Sequence, residues 1–205
     1  MSVADVIAQI KEGKSLAGGE FTNLNFSNQD LSGADFSGAD LHGSKFNGAK
    51  LHNVNFTGAN LGHCNFGGSD MSGSDISGAN LDGSEMINVK QTGLRIDRDR
   101  LISRVRSGWT LDGVDISGMD LAGENLRYAK ITYANMQGCN LEGADLRGAV
   151  LYETNLACSN LMNADMRGAS LKRANLTKAN RTGTQVSRRA LKRAFITGDI
   201  AYLDN

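Results

Sequence analysis

Between residues 39 and 68 the chain reads ADLHG SKFNG AKLHN VNFTG ANLGH CNFGG, with Leu or Phe at every fifth position. A helix repeats its apolar face at a spacing near 3.6 and a strand at 2, so neither element accounts for a period of five. The period is unbroken from Phe21 to Met86 and again from Leu111 to Leu176; in each run all 14 such central positions are Phe, Leu, Ile or Met. Two residues before the centre the side chain is mostly small, as in Ala34, Ala39, Ser44, Ala49, Cys64 and, later, Ala129, Ala134, Cys139 and Ala144. Directly before the centre stands Asp, Asn or Lys (Asp35, Asp40, Lys50, Asn55), and Gly often follows two residues after it (Gly43, Gly48, Gly58). This pattern predicts a chain that turns a corner every five residues. Large and small residues face inward, and Gly or Asx relieves the backbone at the corner. Stacking such coils pairs peptide groups that a single coil leaves unpaired.

The Phe positions bear on the size of one coil. Phe26, Phe46 and Phe66 are spaced by 20, as are Phe36 and Phe56, and the two sets are offset by 10. Four quintets per coil would stack each set as a ladder on opposite sides of a square tube, with successive rungs about 4.8 Å apart. A simple alternation of Phe with Leu has the same spacing, so four sides follow only in part from this pattern.

The quintets ADLHG, ANLDG, ADLRG and ANLTK resemble those of the pentapeptide-repeat family, whose motif is A(D/N)LXX, over about two thirds of the chain. The resemblance implies an all-β solenoid, a right-handed quadrilateral β-helix. It says more about fold than about function.

A longer repeat overlies the short one. TGLRIDRDRLISRVRSGW, from Thr92, and TGTQVSRRALKRAFITGD, from Thr182, align at an offset of 90, and VIAQIKEGKSL aligns with LISRVRSGWTL at an offset of 95. These stretches predict short helices, N-capped by Asp97 or Ser187, with Leu101 and Val105, or Leu191 and Phe195, on one face, and stopped by Gly108 or Gly198. The expected organisation is an N-terminal capping helix in 1–18, a first rod in 19–90, a helical connector in 91–110, a second rod in 111–181 and a C-terminal capping helix in 182–205. One continuous tower with a side insertion is the alternative. Two rods are preferred because Asp99, Arg104 and Arg106 would point inward in the tower's frame.

Candidate chemistry is sparse. His42 and His52 fall on opposite sides of the square coil, and with His63 they read as surface residues; no metal is expected. Cys64 and Cys139 occupy small inward positions, Cys158 points outward, and three Cys make no disulfide framework. Ser, Asp and His are scattered evenly by the period, no G-K-[ST] phosphate loop is present, and neither a catalytic site nor a cofactor is expected. The leading segment lacks a signal-peptide core and no apolar run could cross a bilayer, so a cytoplasmic location is the default expectation, with leaderless secretion left open.

Charge adds one asymmetry. The chain is neutral in sum, yet residues 19–90 hold 8 acidic and 3 basic residues while 91–205 hold 12 acidic and 17 basic. Arg127, Arg147 and Arg167, spaced by 20, should stack as a column of positive charge, extended by Lys172 and Arg173; like charges one coil apart repel unless an anion lies between them. This column is the candidate interaction face, for a protein, nucleic acid or anionic surface, against the alternative of a merely solvated basic face. The expected function is a non-catalytic protein–protein interaction scaffold. Two alternatives come from the resemblance: a DNA mimic acting on gyrase or topoisomerase, as in the quinolone-resistance type, and a secreted effector or secretion accessory. Homodimerisation is left open.

Overall fold

The computed structural model describes residues 1–108 and 110–195. The chain forms two compact units, Met1–Ile96 and Asp97 onward. Each contains one regular coil built from quintets. Helix α1 (Val3–Lys11) precedes the first coil, α2 (Arg98–Arg106) precedes the second, and α3 (Arg188–Leu191) lies near the end of the second.

In both units the residue before each centre forms an isolated parallel bridge with the residue twenty positions on, from Glu20 with Asp40 to Asp75 with Arg95, and from Thr110 with Lys130 to Asp165 with Gln185. One coil is therefore four quintets. The backbone pairing repeats within every quintet. The central N–H donates to the carbonyl nineteen residues on (Leu41 to Asn60, 2.9 Å), as does the N–H two residues later (Gly43 to Gly62, 2.8 Å), while the bridge residue donates back to the previous coil (Asp40 to Gly19, 2.9 Å). The β structure consists of single bridges rather than extended strands, because two residues of every five lie in a turn.

The turn explains the rest of the motif. The second residue after the centre has positive φ throughout, whether Gly38 (63°) or Asn53 (55°), and the turn closes by a bond such as Ala39 N–H to the Phe36 carbonyl (3.0 Å). Gly and Asn tolerate this left-handed position best. The Asp or Asn before the centre accepts the N–H two residues on, as Asp40 does from His42 (3.0 Å) and Asn55 from Thr57 (3.0 Å). Asn side chains then link coils, as from Asn55 to Asp35 (3.0 Å).

At Leu24, a large residue in the small inward position, the turn-closing bond is replaced by one to the next coil. The Leu24 N–H donates to the hydroxyl of Ser44 (3.0 Å), which itself donates to the Phe21 carbonyl (2.8 Å). Val54 uses Ser74 in the same way (3.0 Å), and the Ser74 hydroxyl donates to the Leu51 carbonyl.

The first unit's core is aromatic. Phe26, Phe46 and Phe66 stack with centroids 5.2 and 4.9 Å apart, Phe36 and Phe56 stack at 5.8 Å, and the two ladders meet edge to face. The second unit fills the same positions with Leu, Ile and Met, all buried, including the columns Leu121, Leu141, Leu161 and Ile131, Leu151, Leu171.

The coil boundaries differ from those expected. The first coil does not end at residue 90. Lys90 and Arg95 still bridge to Asp70 and Asp75, and Leu94 and Ile96 are buried, because only Gln91 breaks the apolar period there. The second coil likewise continues past 181 to Gln185. Within α2 the buried pair is Leu101 and Ile102, with Val105 half-buried. Asp97 and Ser187 cap α2 and α3 by accepting the N–H groups of Arg100 (2.8 Å) and Ala190 (3.2 Å). Helix α3 is a single turn, and Phe195 has left it. Its backbone rejoins the coil beside Asn175, with the ring exposed. Trp109 and residues 196–205, including the expected Gly198 stop, lie outside the described residues.

Candidate interaction surface

Because the coil repeats every twenty residues, each side of the second unit presents one outward row at the bridging position. Three rows are polar ladders. Asp115, Asn135, Asn155 and Asn175 are joined amide to carbonyl oxygen at 3.0–3.2 Å, and Asp120, Asn140, Asn160 and Asn180 at 2.9–3.1 Å. The third row is Asn125, Asp145, Asp165 and Gln185. The fourth row breaks the rule: Thr110, Lys130, Val150 and Ser170. It contains neither carboxylate nor amide, and apart from Phe195 at the end of another row, Val150 is the one apolar residue at a bridging position among the described residues.

Two stacks of turns border this fourth face. On one edge lie Arg127–Tyr128, Arg147–Gly148 and Arg167–Gly168; on the other Thr132–Tyr133, Tyr152–Glu153 and Lys172–Arg173. All five basic residues singled out from the sequence therefore flank one face. The arginines, however, form no free positive column. Arg147 and Arg167 each grip the aspartate two residues earlier, with Nε to Oδ1 distances of 2.8 and 2.9 Å. Arg147 also approaches Asp165 (3.5 Å), and Arg127 approaches Asp145 (4.0 Å). The result is an alternating staircase of opposite charge, which removes the repulsion that an isolated column would suffer. The Arg167 guanidinium holds Asp165 down to about 2, and Arg147 lowers Asp145 in the same way. On the opposite edge Arg173 pairs with Glu153 (3.2 Å), and the Lys172 ammonium lies 5.6 Å from the Tyr152 ring centroid.

Every described tyrosine sits on these two edges. Tyr128 and Tyr133 are 67% and 59% exposed, although both occupy the left-handed turn position (φ 58° and 57°) where Gly or Asn fits without strain. The Tyr128 ring lies over Gly148 of the next coil, so closely that a Cβ on Gly148 would stand 2.6 Å from it; Arg127 lies over the same ring at 5.3 Å. Tyr133 meets Tyr152 edge to face at 5.4 Å. Glu153 raises the Tyr152 phenol above its ordinary value through a hydrogen bond. The tyrosines, Lys130 and Val150 escaped the sequence reading. For three of them the signal was present as departures from the motif: Val150 where a polar residue belongs, and Tyr128 and Tyr133 where Gly or Asn belongs.

The remaining candidates stay apart or serve structure. His42 and His63 meet edge to face at 5.2 Å, a convergence not anticipated from the sequence, and His52 pairs with Asp70 (3.0 Å). Among the described residues no group of three or more His, Cys, Asp or Glu is placed to hold a metal ion. The Cys64 and Cys139 thiols donate to the carbonyls of Leu41 (3.1 Å) and Ile116 (3.0 Å), and burial pushes both up to about 11. Cys158 is exposed. A polar recess in the second unit, lined by α2 and Glu124, is bridged by an ion pair between Arg98 and Glu124. Among the described residues no helix is long and apolar enough to cross a membrane.

The geometry is that of a repeat protein with a coil of four quintets. The Pentapeptide repeats family matches residues 20–58, 49–86, 111–148 and 144–183, in eight copies. The chain belongs to the pentapeptide-repeat family. Among curated proteins nothing matches. Solved structures similar to it include HetL, a pentapeptide repeat protein involved in heterocyst differentiation regulation from the cyanobacterium Nostoc sp. strain PCC 7120 (23% identity, 95% of this chain and 94% of that one, TM-score 0.43). Another is alr5209 from Nostoc PCC 7120 (28% identity, 50% and 88% covered, TM-score 0.44). A third is full-length QnrB1, a plasmid-mediated fluoroquinolone resistance protein (20% identity, 85% of each chain, TM-score 0.33). At these scores the overlays carry no argument about function.

Proposed function

We propose that the protein is a non-catalytic protein–protein interaction scaffold, built on right-handed quadrilateral β-helices of the kind the family resemblance implies. One observation carries this reading. On three sides of the second unit the outward Asx side chains serve the backbone and one another, and on the fourth they are replaced by Lys, Val, Thr and Ser flanked by exposed Tyr. Ladder residues reinforce the coil through the bonds just described. Exposed tyrosines in a strained turn position form no such ladder, and Tyr and Arg are the residues that dominate protein interfaces. A catalytic role would instead need nucleophile, base and orienting group gathered in one cleft.

The test is affinity capture from host cells with the intact chain as bait, read by mass spectrometry and repeated with purified prey. The expected result is a direct, stoichiometric complex. Failure of every captured protein to rebind in purified form would overturn the scaffold reading. So would turnover of a substrate that is abolished by changing one polar side chain.

A further inference from the structure

The fourth face of the second unit combines three features found together nowhere else among the described residues. It has an apolar centre at Val150, aromatic edges at Tyr128, Tyr133 and Tyr152, and two lysines, Lys130 and Lys172, with no carboxylate within ion-pair distance. We infer that this face is the docking surface for a protein segment that presents an apolar side chain ringed by Asp and Glu. This deepens the scaffold reading and rests on it.

The choice of occupant follows from charge. The neighbouring arginines are already engaged: Arg127 by Asp145 and the Tyr128 ring, Arg147 and Arg167 by Asp145 and Asp165, and Arg173 by Glu153. What remains is a weakly positive rim around an apolar middle. Affinity for a nucleic-acid strand comes from many simultaneous phosphate contacts. Two lysines without a carboxylate partner, with Glu153 on one edge, do not supply them. A second copy docking the same face by a two-fold axis would set this positive rim against itself, a like-charge juxtaposition that interfaces avoid. An acidic protein segment meets both requirements, since its carboxylates answer Lys130 and Lys172 while its apolar anchor covers Val150 between the tyrosine rings.

The turn geometry also supplies a clean variant. Gly is the commonest residue at the positions held by Tyr128 and Tyr133, so Tyr128→Gly and Tyr133→Gly relieve backbone strain while deleting the aromatic edges. Val150→Asn is an independent second variant, which replaces the apolar centre with the residue type that the neighbouring rows carry at the bridging position and should weaken peptide binding.

A phage-displayed random-peptide library is panned on the intact chain, and a synthetic copy of the most enriched peptide is titrated against the wild type and each variant. The selected peptides should be acidic and carry an aromatic or aliphatic residue. Binding should weaken roughly 30-fold in the double Tyr→Gly variant. It should weaken about tenfold in Lys130→Glu with Lys172→Glu, while circular dichroism melts of the Tyr→Gly variant match or exceed the wild type. Enriched peptides that bind all variants equally would overturn this face and leave the scaffold reading standing. An empty selection together with empty host capture would overturn both. Binding of a labelled oligo-dT strand at physiological salt, abolished by the same variants, would overturn the protein occupant. A concentration-dependent dimer in sedimentation that the variants dissolve would overturn it as well.

Discussion

Phe46 is the centre of the first unit's aromatic ladder, and its removal tests the packing most sharply. The side chain is fully buried, stacked between Phe26 and Phe66 with interplanar angles of 15° and 4°, and in edge contact with Phe56 at 6.1 Å. Phe46→Ala removes the transfer free energy of the ring and leaves a cavity that stacked coils cannot close, because each ring is fixed by the backbone bonds of the coil above and below. Such substitutions cost about 3–5 kcal/mol. Loss of two stacked pairs and one edge pair places this one in the upper half of that range. Phe46→Leu keeps most of the volume with a residue the ladder's neighbours already use, and should cost about 1–2 kcal/mol. For a unit of this size, 4 kcal/mol corresponds to a fall of roughly 20 °C in its melting midpoint. Calorimetry gives the shift. Hydrogen exchange should show the protection loss concentrated at the amides of Phe26, Phe46 and Phe66, whose partners are Lys45, Asn65 and Glu85. A loss below about 1 kcal/mol for Phe46→Ala, or equal losses for Ala and Leu, would refute ladder packing as the source of stability.

The open turn at Leu24, the charge staircase and the thiols give further checks. Ser44→Ala leaves the Leu24 N–H and the Phe21 carbonyl without their buried partner, so it should lower stability by about 1–3 kcal/mol in urea titrations. Asp165 titrates below its ordinary value in the folded chain, so its pairing with Arg167 stabilises the fold above that ordinary value and is lost as the pH falls from 3.8 through about 2. The melting difference between wild type and Asp165→Asn should therefore be steady at neutral pH and vanish in acid; a difference that persists in acid contradicts the pairing. A thiol reagent should modify Cys158 rapidly in the native protein, with Cys64 and Cys139 reacting only after unfolding, since burial keeps both protonated. Fast native labelling of either buried residue would contradict their inward placement.

Much of the architecture is legible in the chain because one backbone turn is repeated, so each quintet restates the same constraint. The spacing of Phe26, Phe46 and Phe66 matches the coil of twenty that the bridges define. The ends were less legible, since there the apolar period no longer decides. Gln91 is tolerated at a central position in the last coil of the first unit, and Phe195 returns to the coil although its spacing from Leu191 suits a helix face. The Arg row was visible, but its neutralisation was not. Spacing of 20 identifies the stack, whereas pairing depends on Asp145 and Asp165 lying two residues before each guanidinium on a tightly turned backbone. The tyrosine face was missed for a different reason. A motif is recognised by its matches, while the residues available to meet another molecule are those that depart from it.

The register of the coil underlies every row and face described above, and NMR couplings transmitted across hydrogen bonds measure it directly. The amide nitrogens of Leu121, Leu141 and Leu146 should couple to the carbonyl carbons of Asn140, Asn160 and Asp165, each nineteen residues on, across bonds of 2.7–2.8 Å. Couplings from these amides to carbonyls four residues earlier, or to partners at any other fixed separation, would contradict the four-quintet coil and the interaction face built on it.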